Sequence, residues 1–194
     1  MRSILYLILS SLLLLGSCGK FSTKEHYTLD ANFKSFFNYR NGSEWHYYDL
    51  ADTNYKEVVT VTGHLQGKMV WDAFDQEFIQ YDLISDKDSM CKLRAVAEAV
   101  NVSRAVLLVQ DTNYRQAAEW YYAGGNFSGV AGNGDTFNFY PTYRMQAIDY
   151  TDVIELIPRR PRLDKRIFIA RGIGIIRKEK VSGRTLVLKS WTVQ

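Results

Sequence analysis

Period-two alternation of apolar and polar residues, returning in short runs from Trp45 to the end of the chain, constrains this fold more than any other feature. Val59-Thr60-Val61-Thr62 sends valines and threonines to opposite faces of an extended backbone, and Ile79-Gln80-Tyr81-Asp82-Leu83 repeats the pattern with larger side chains. Phe137-Asn138-Phe139 repeats it again, and Arg166-Ile167-Phe168-Ile169-Ala170 reads as a strand buried on both sides. Between these runs fall turn signals: Gly63, Gly67, Ser85-Asp86, Gly124-Gly125, Asn133-Gly134-Asp135 and Pro141. Strand-like pieces spaced this way, with no long helical pattern between them, predict a mostly β chain, a single antiparallel meander with few short helices. The clearest unit is the last, where Ile173–Val181 and Thr185–Val193 flank the hairpin signal Ser182-Gly183.

One segment has two readings. Leu93, Val96, Ala97 and Val100 form a helical stripe in an Ala-rich stretch. The alternative is a hairpin of Lys92–Val100 and Arg104–Gln110 turning at Asn101-Val102-Ser103, and the surrounding strands favour it. Tyr114–Tyr122 carries the same ambiguity.

The N-terminus is an export signal. Arg2 is the only charge before Lys20, and the 12 residues Ile4–Leu15 form an apolar core too short to cross a bilayer. Leu15-Gly16-Ser17-Cys18 then resembles the bacterial lipobox, which directs acylation of the cysteine and cleavage before it. The expected organisation is a signal peptide at 1–17, a lipidated Cys18 with a polar tether to 28, and one β-rich domain at 29–194, with a short helix or lead-in at Leu29–Phe37. Acylation of Cys18 leaves Cys91 as the remaining thiol, so no internal disulfide forms and stability must come from the core. The exported domain is long enough for that, since a domain of about 150 residues buries roughly 70% of its unfolded surface.

Charge is unevenly spread. Residues 159–194 hold 11 Lys and Arg against Asp164 and Glu179, while the rest of the chain is net acidic. Such a block can meet an acidic partner. Charge clusters are usually solvated faces, so the basic strands are expected to pair with acidic neighbours of the same sheet. Nucleic acid is an improbable partner for an exported, lipid-tethered chain.

No stretch spells out a chemistry. His26, His46 and His64 lie far apart with no close pair of metal-ligand spacing, so no metal site is expected. Cys91 has no local nucleophile signature and reads as a small core residue. Ser89-Met90-Cys91-Lys92 matches S-x-x-K by chance, without its partner boxes. The glycine-rich stretch 124–135 lacks the Lys of a phosphate loop, and its single Gly132-Asn133-Gly134-Asp135 cannot stack into a calcium roll. Asp49/Asp52 and Asp149/Asp152 are carboxylate pairs of the kind glycoside hydrolysis uses, but strand-and-turn context makes them solvated loop residues. Neither catalytic residues nor a cofactor are expected.

Two segments resemble a known type. Phe36 to Tyr48, with Trp45-His46-Tyr47 on the first strand, resembles the opening of uncharacterised envelope lipoproteins, and Ala170-Arg171-Gly172-Ile173-Gly174-Ile175-Ile176-Arg177 resembles their late strand before a final hairpin. Such families are similar to the LolA/LolB lipoprotein-carrier architecture. That resemblance implies an antiparallel sheet curled into a half-barrel over an apolar interior, and it implies no catalytic residues. The glycines have a rationale of their own. Gly172 and Gly174, two apart on a strand, bare one face of backbone for a bend, with Trp45 and Tyr47 filling the space beneath and facing any interior ligand.

The expected role is a non-enzymatic lipoprotein, anchored through Cys18 in the outer membrane and facing the periplasm, that binds an apolar ligand or an envelope partner. Gly19 after the cysteine is not the Asp of inner-membrane retention. A hydrolase acting on envelope glycan or lipid is the alternative.

Overall fold

The computed structural model describes residues 24–87, 91–99, 102–109, 115–123, 126–128, 136–159, 161 and 163–194. In chain order the elements are β1 (Glu25–Tyr27), α1 (Ala31–Lys34), β2 (Glu44–Asp49), β3 (Lys56–Val70), β4 (Phe74–Ser85), β5 (Cys91–Ala99), β6 (Val102–Val109) and β7 (Arg115–Ala123). They continue with β8 (Asn126–Ser128), β9 (Thr136–Met145), β10 (Ile148–Ile157), β11 (Asp164–Ala170), β12 (Gly174–Lys180) and β13 (Thr185–Thr192). The strands form one sheet in the order β8-β7-β6-β5-β4-β3-β2-β13-β12-β11-β10-β9, so every neighbour on this path is consecutive except β13 beside β2. This is the expected antiparallel meander, mostly β and curled into a half-barrel. β1 departs from it, lying off the path and pairing in parallel with β4.

Curling has local causes. Register shifts interrupt the ladders at Val61/Gly63, Ala97/Ala99, Leu107/Leu108, Phe168/Ile169 and Leu188/Ser190. Each such bulge bends its strand and increases its twist. The two ends of the path approach each other through rings, with Phe127 of β8 stacked on Phe137 (5.3 Å) and Phe139 (5.8 Å) of β9.

Several turn signals fall elsewhere than the sequence suggests. Gly63 and Gly67 lie inside β3, which runs 15 residues without a turn. A Cβ on Gly63 would meet Asp82 Oδ2 at 2.7 Å, and one on Gly67 would meet the Phe78 ring at 3.4 Å, so these glycines admit side chains from the opposing strand. Pro141 sits within β9, at the edge of the sheet, where a missing N–H costs no ladder bond. The segment 91–123 is strand throughout its described length, and its helical stripe is a coincidence of Ala-rich alternation: Leu93, Ala95 and Ala97 share one buried face. The β5–β6 connection is tighter than expected, because Val102 and Ser103 already belong to β6. Of the residues read as a tether, 25–27 are held by the sheet as β1.

The lead-in to the barrel is its filling. Asp30 caps α1, accepting from the N–H groups of Asn32 (2.8 Å) and Phe33 (3.2 Å). The helix lies over β4 to β8: Leu29 N–H donates to Glu77, Asp30 N–H to Ser103, and Phe33 packs 5.9 Å from Tyr122 and 6.4 Å from Phe127. Phe33, Phe36 and Phe37 are all fully buried, so this short segment plugs the concave face.

Candidate functional site

The inward residues of β4 run the length of the interior. Glu77 meets the α1 segment, Tyr81 holds it, Leu83 lines an apolar cavity, and Ser85 reaches a charged floor. The interior thus has three zones: an aromatic plug, a cavity and a set of buried charges.

The plug is tied down by hydroxyls. Tyr81 donates to the carbonyl of Phe37 and Tyr39 donates to that of Phe36. Burial pushes both phenols up, with each a neighbour of the other. A mixed groove of about 280 Å³ lies outside this segment, against His64, Gln66 and Lys34; His64 stacks on Tyr81 at 4.9 Å.

The cavity is lined by Tyr39, Trp45, Tyr47, Val59, Leu83 and Leu93, with three isoleucines of β11 and β12 opposite. Trp45 and Tyr47 share the inward face. Both reach past β13, Trp45 Nε1 donating to the carbonyl of Ile173 in the β11–β12 turn (2.5 Å) and Tyr47 to that of Ile175 in β12 (2.7 Å). Their polar atoms are therefore consumed by backbone, leaving ring faces toward the cavity. Its volume is about 20 Å³, room for roughly one water with α1 in place.

The two glycines part company. Gly174 opens β12 at φ +105°, and a Cβ there would meet the Trp45 indole at 2.9–3.1 Å, so the indole rests on bare backbone. Gly172 is not on a strand. It lies in the β11–β12 turn at φ +68° with open space around it, and serves the turn rather than the packing.

The floor escaped the sequence reading altogether. Glu57 is fully buried opposite Tyr47; its Oε1 accepts from Lys178 Nζ (2.5 Å) and Ser85 Oγ (2.9 Å), and Lys180 Nζ lies 3.4 Å from Oε2. Lys178 also sits 4.6 Å over the Tyr47 ring. Burial first, then the Glu57 charge, pushes the Tyr47 phenol far up. Asp49, likewise buried, accepts from Arg184 at 2.9 Å. One signal was available: Lys178 and Lys180 stand two apart in a strand-like run, so both take the same face of β12.

Basic residues of the C-terminal third do pair within the sheet. Besides Lys178 and Arg184, Arg171 meets Asp152 (3.0 Å), and Arg166 and Arg177 meet Glu179 (3.5 and 2.5 Å). On the face away from the cavity, Glu155 accepts from Asn138 (2.9 Å), Tyr140 (2.6 Å) and Arg166 (2.5 Å). Burial would raise that carboxyl, but these three donors outweigh it and hold it below its usual range.

The remaining candidates do not converge. Asp49 is engaged by Arg184 while Asp52 accepts from Asn54 N–H in the following turn; Asp149 pairs with Arg144, and Asp152 with Arg171. His26 lies beside Asp75 and His46 beside Glu44. Among the described residues no group of three His, Cys, Asp or Glu is placed to hold a metal ion, and no helix is long and apolar enough to cross a membrane. Cys91 has its backbone in β5; its side chain, Cys18, Ser89-Met90 and most of the glycine-rich stretch lie outside the description. No family model, curated protein or solved structure matches the chain.

Proposed function

We propose that this protein is a lipoprotein, acylated at Cys18 and anchored in the outer membrane on its periplasmic side, whose half-barrel shelters an apolar ligand such as an acyl chain. The observation that carries the reading is the interior cavity: ring faces and aliphatic side chains surround it, and the indole and phenol that line it have turned their polar atoms into backbone hydrogen bonds. Sites for apolar ligands have this composition. With a volume near 20 Å³ the cavity accepts a chain only when the α1 segment withdraws, so α1 acts as a lid and Phe33, Phe36 and Phe37 as the surrogate for the ligand. An envelope protein presenting an apolar segment would use the same space.

Two measurements test this. Changing Cys18 to Ala moves the protein from the membrane to the soluble fraction; persistence in the membrane pellet refutes the anchor. Mass spectrometry of organic extracts from the purified acylated protein finds a lipid beyond its own anchor, and Leu83→Trp, which fills the cavity, removes it. An extract empty of such lipid, together with failure to take up a fluorescent fatty acid, overturns the ligand reading.

A further inference from the structure

β3 and β4 outrun the barrel. β2 begins at Glu44, opposite Thr60, so the part of β3 beyond residue 61 has β4 on one side and no β2 partner on the other. This overhang ends in a turn, Trp71-Asp72-Ala73, closed by Trp71 N–H donating to the carbonyl of Phe74 at 2.9 Å. Its tip is apolar and open: Val70 is 70% exposed and Trp71 is 52% exposed. The Trp71 ring leans on Phe74 at 6.1 Å, and Phe74 in turn on Tyr27 at 5.4 Å, giving an aromatic row that continues into β1.

The chain enters the fold beside this tip. β1 pairs in parallel with the start of β4, Glu25 opposite Phe74 and Tyr27 opposite Gln76, and Glu25 N–H donates to the carbonyl of Ala73 at 3.2 Å. Parallel pairing means that β1 runs away from the turn, so its N-terminal end lies at the turn. Lys24, fixed there by Asp75 at 2.7 Å, is six residues after Cys18. Six residues span at most about 20 Å when fully extended, and about 13 Å as a flexible coil.

We infer that the Val70-Trp71 tip of the β3–β4 hairpin is a membrane contact, seated in the headgroup layer of the bilayer that holds the acyl chains of Cys18. The inference rests on the acylation proposed above. Given that anchor, the tether holds the tip within about 20 Å of the acylated cysteine, near enough to reach the headgroup layer. Its chemistry fits that layer: tryptophan prefers the interface, where the ring is sheltered and the indole N–H keeps a polar partner, here Gln76 Oε1 at 3.3 Å. Lys24 and Lys68 flank the tip, and exposed Asp72 in the turn keeps it out of the hydrocarbon. A tip held this way fixes the orientation of the whole barrel, with the long axis of the hairpin directed into the membrane.

The test uses the full acylated chain in vesicles of phosphatidylethanolamine and phosphatidylglycerol that carry a nitroxide at headgroup depth. Tryptophan emission is quenched, and Trp71→Phe removes most of that quenching while the vesicles still float with bound protein. Inserting a flexible Gly/Ser segment of roughly 12 residues before Lys24 weakens the quenching in the parent chain. Protein that floats but shows the same quenching with and without Trp71 overturns the membrane contact and spares the anchor. Protein that carries no acyl group and does not float overturns both.

Discussion

At the scale of single residues, glycine shows how one missing atom supports a ring. Gly174 combines a positive φ with an indole at contact distance, whereas Gly172 has the φ alone. Gly174→Val should therefore lower stability by about 3 kcal/mol, from backbone strain plus overpacking against Trp45. Gly172→Ala should cost only about 1 kcal/mol. Denaturant unfolding of the two variants checks this; equal losses would mean that the indole does not need the bare backbone. The Gly-x-Gly spacing was visible in the sequence, and so was the shared face of Trp45 and Tyr47. Which glycine carries the contact was not, because it depends on β12 lying across β13 from β2. Glu57 was invisible for the same reason: its partner Lys178 is 121 residues away, and nothing local marks a carboxylate as internal.

Among elements, α1 is the least stable by itself and among the most consequential. A helix of four residues cannot persist in isolation, and its cap contributes only about 1 kcal/mol. Its place is set by the phenylalanines it delivers. Phe33→Ala should cost about 4 kcal/mol and open the cavity toward β7 and β8. Thermal unfolding reads the first effect, and increased binding of an apolar dye by the still-folded protein reads the second; lost stability without dye uptake would show that the sheet collapses onto the space. The strands divide by how they were readable. β4 alternates because one face meets the interior and the other meets water or charged cover, while β11 was readable as an apolar run buried on both sides. β3 resisted because its overhang has no apolar interior to face, so its glycines read as punctuation. β9 resisted because an edge strand tolerates the proline that a central strand excludes.

For the molecule as a whole, the dominant electrostatic fact is an interior full of phenols. Tyr39 and Tyr47 are held protonated by burial, Tyr47 further by Glu57, and Tyr81 follows the same direction. In the unfolded chain such groups lose their protons near pH 10, while the fold retains them. The folded state then binds more protons, so stability is intact below about pH 10 and falls as the pH rises past it. Urea midpoints measured in steps across that range should drop on the alkaline side, and Tyr47→Phe should blunt the drop. A midpoint that stays level while tyrosinate absorbance appears would contradict the assignment. Charge also links the two halves of the chain. The basic block that stood out in the sequence finds much of its neutralisation in acids more than a hundred residues earlier, Glu57 with Lys178 and Asp49 with Arg184.

Those pairs flank the seam where β13 joins β2, and the seam has a consequence in time. Of the described strands on the path, β13, which completes the sheet, is made after all the others, and its partner β2 is made first. As the chain emerges it can zip β2 through β8 and, later, β9 through β12, but it holds two open ribbons until β13 arrives. The exposed edges of β2 and β12 are in that interval the most adhesive surfaces the chain possesses. A fold built like this depends on β13 following promptly to close the seam.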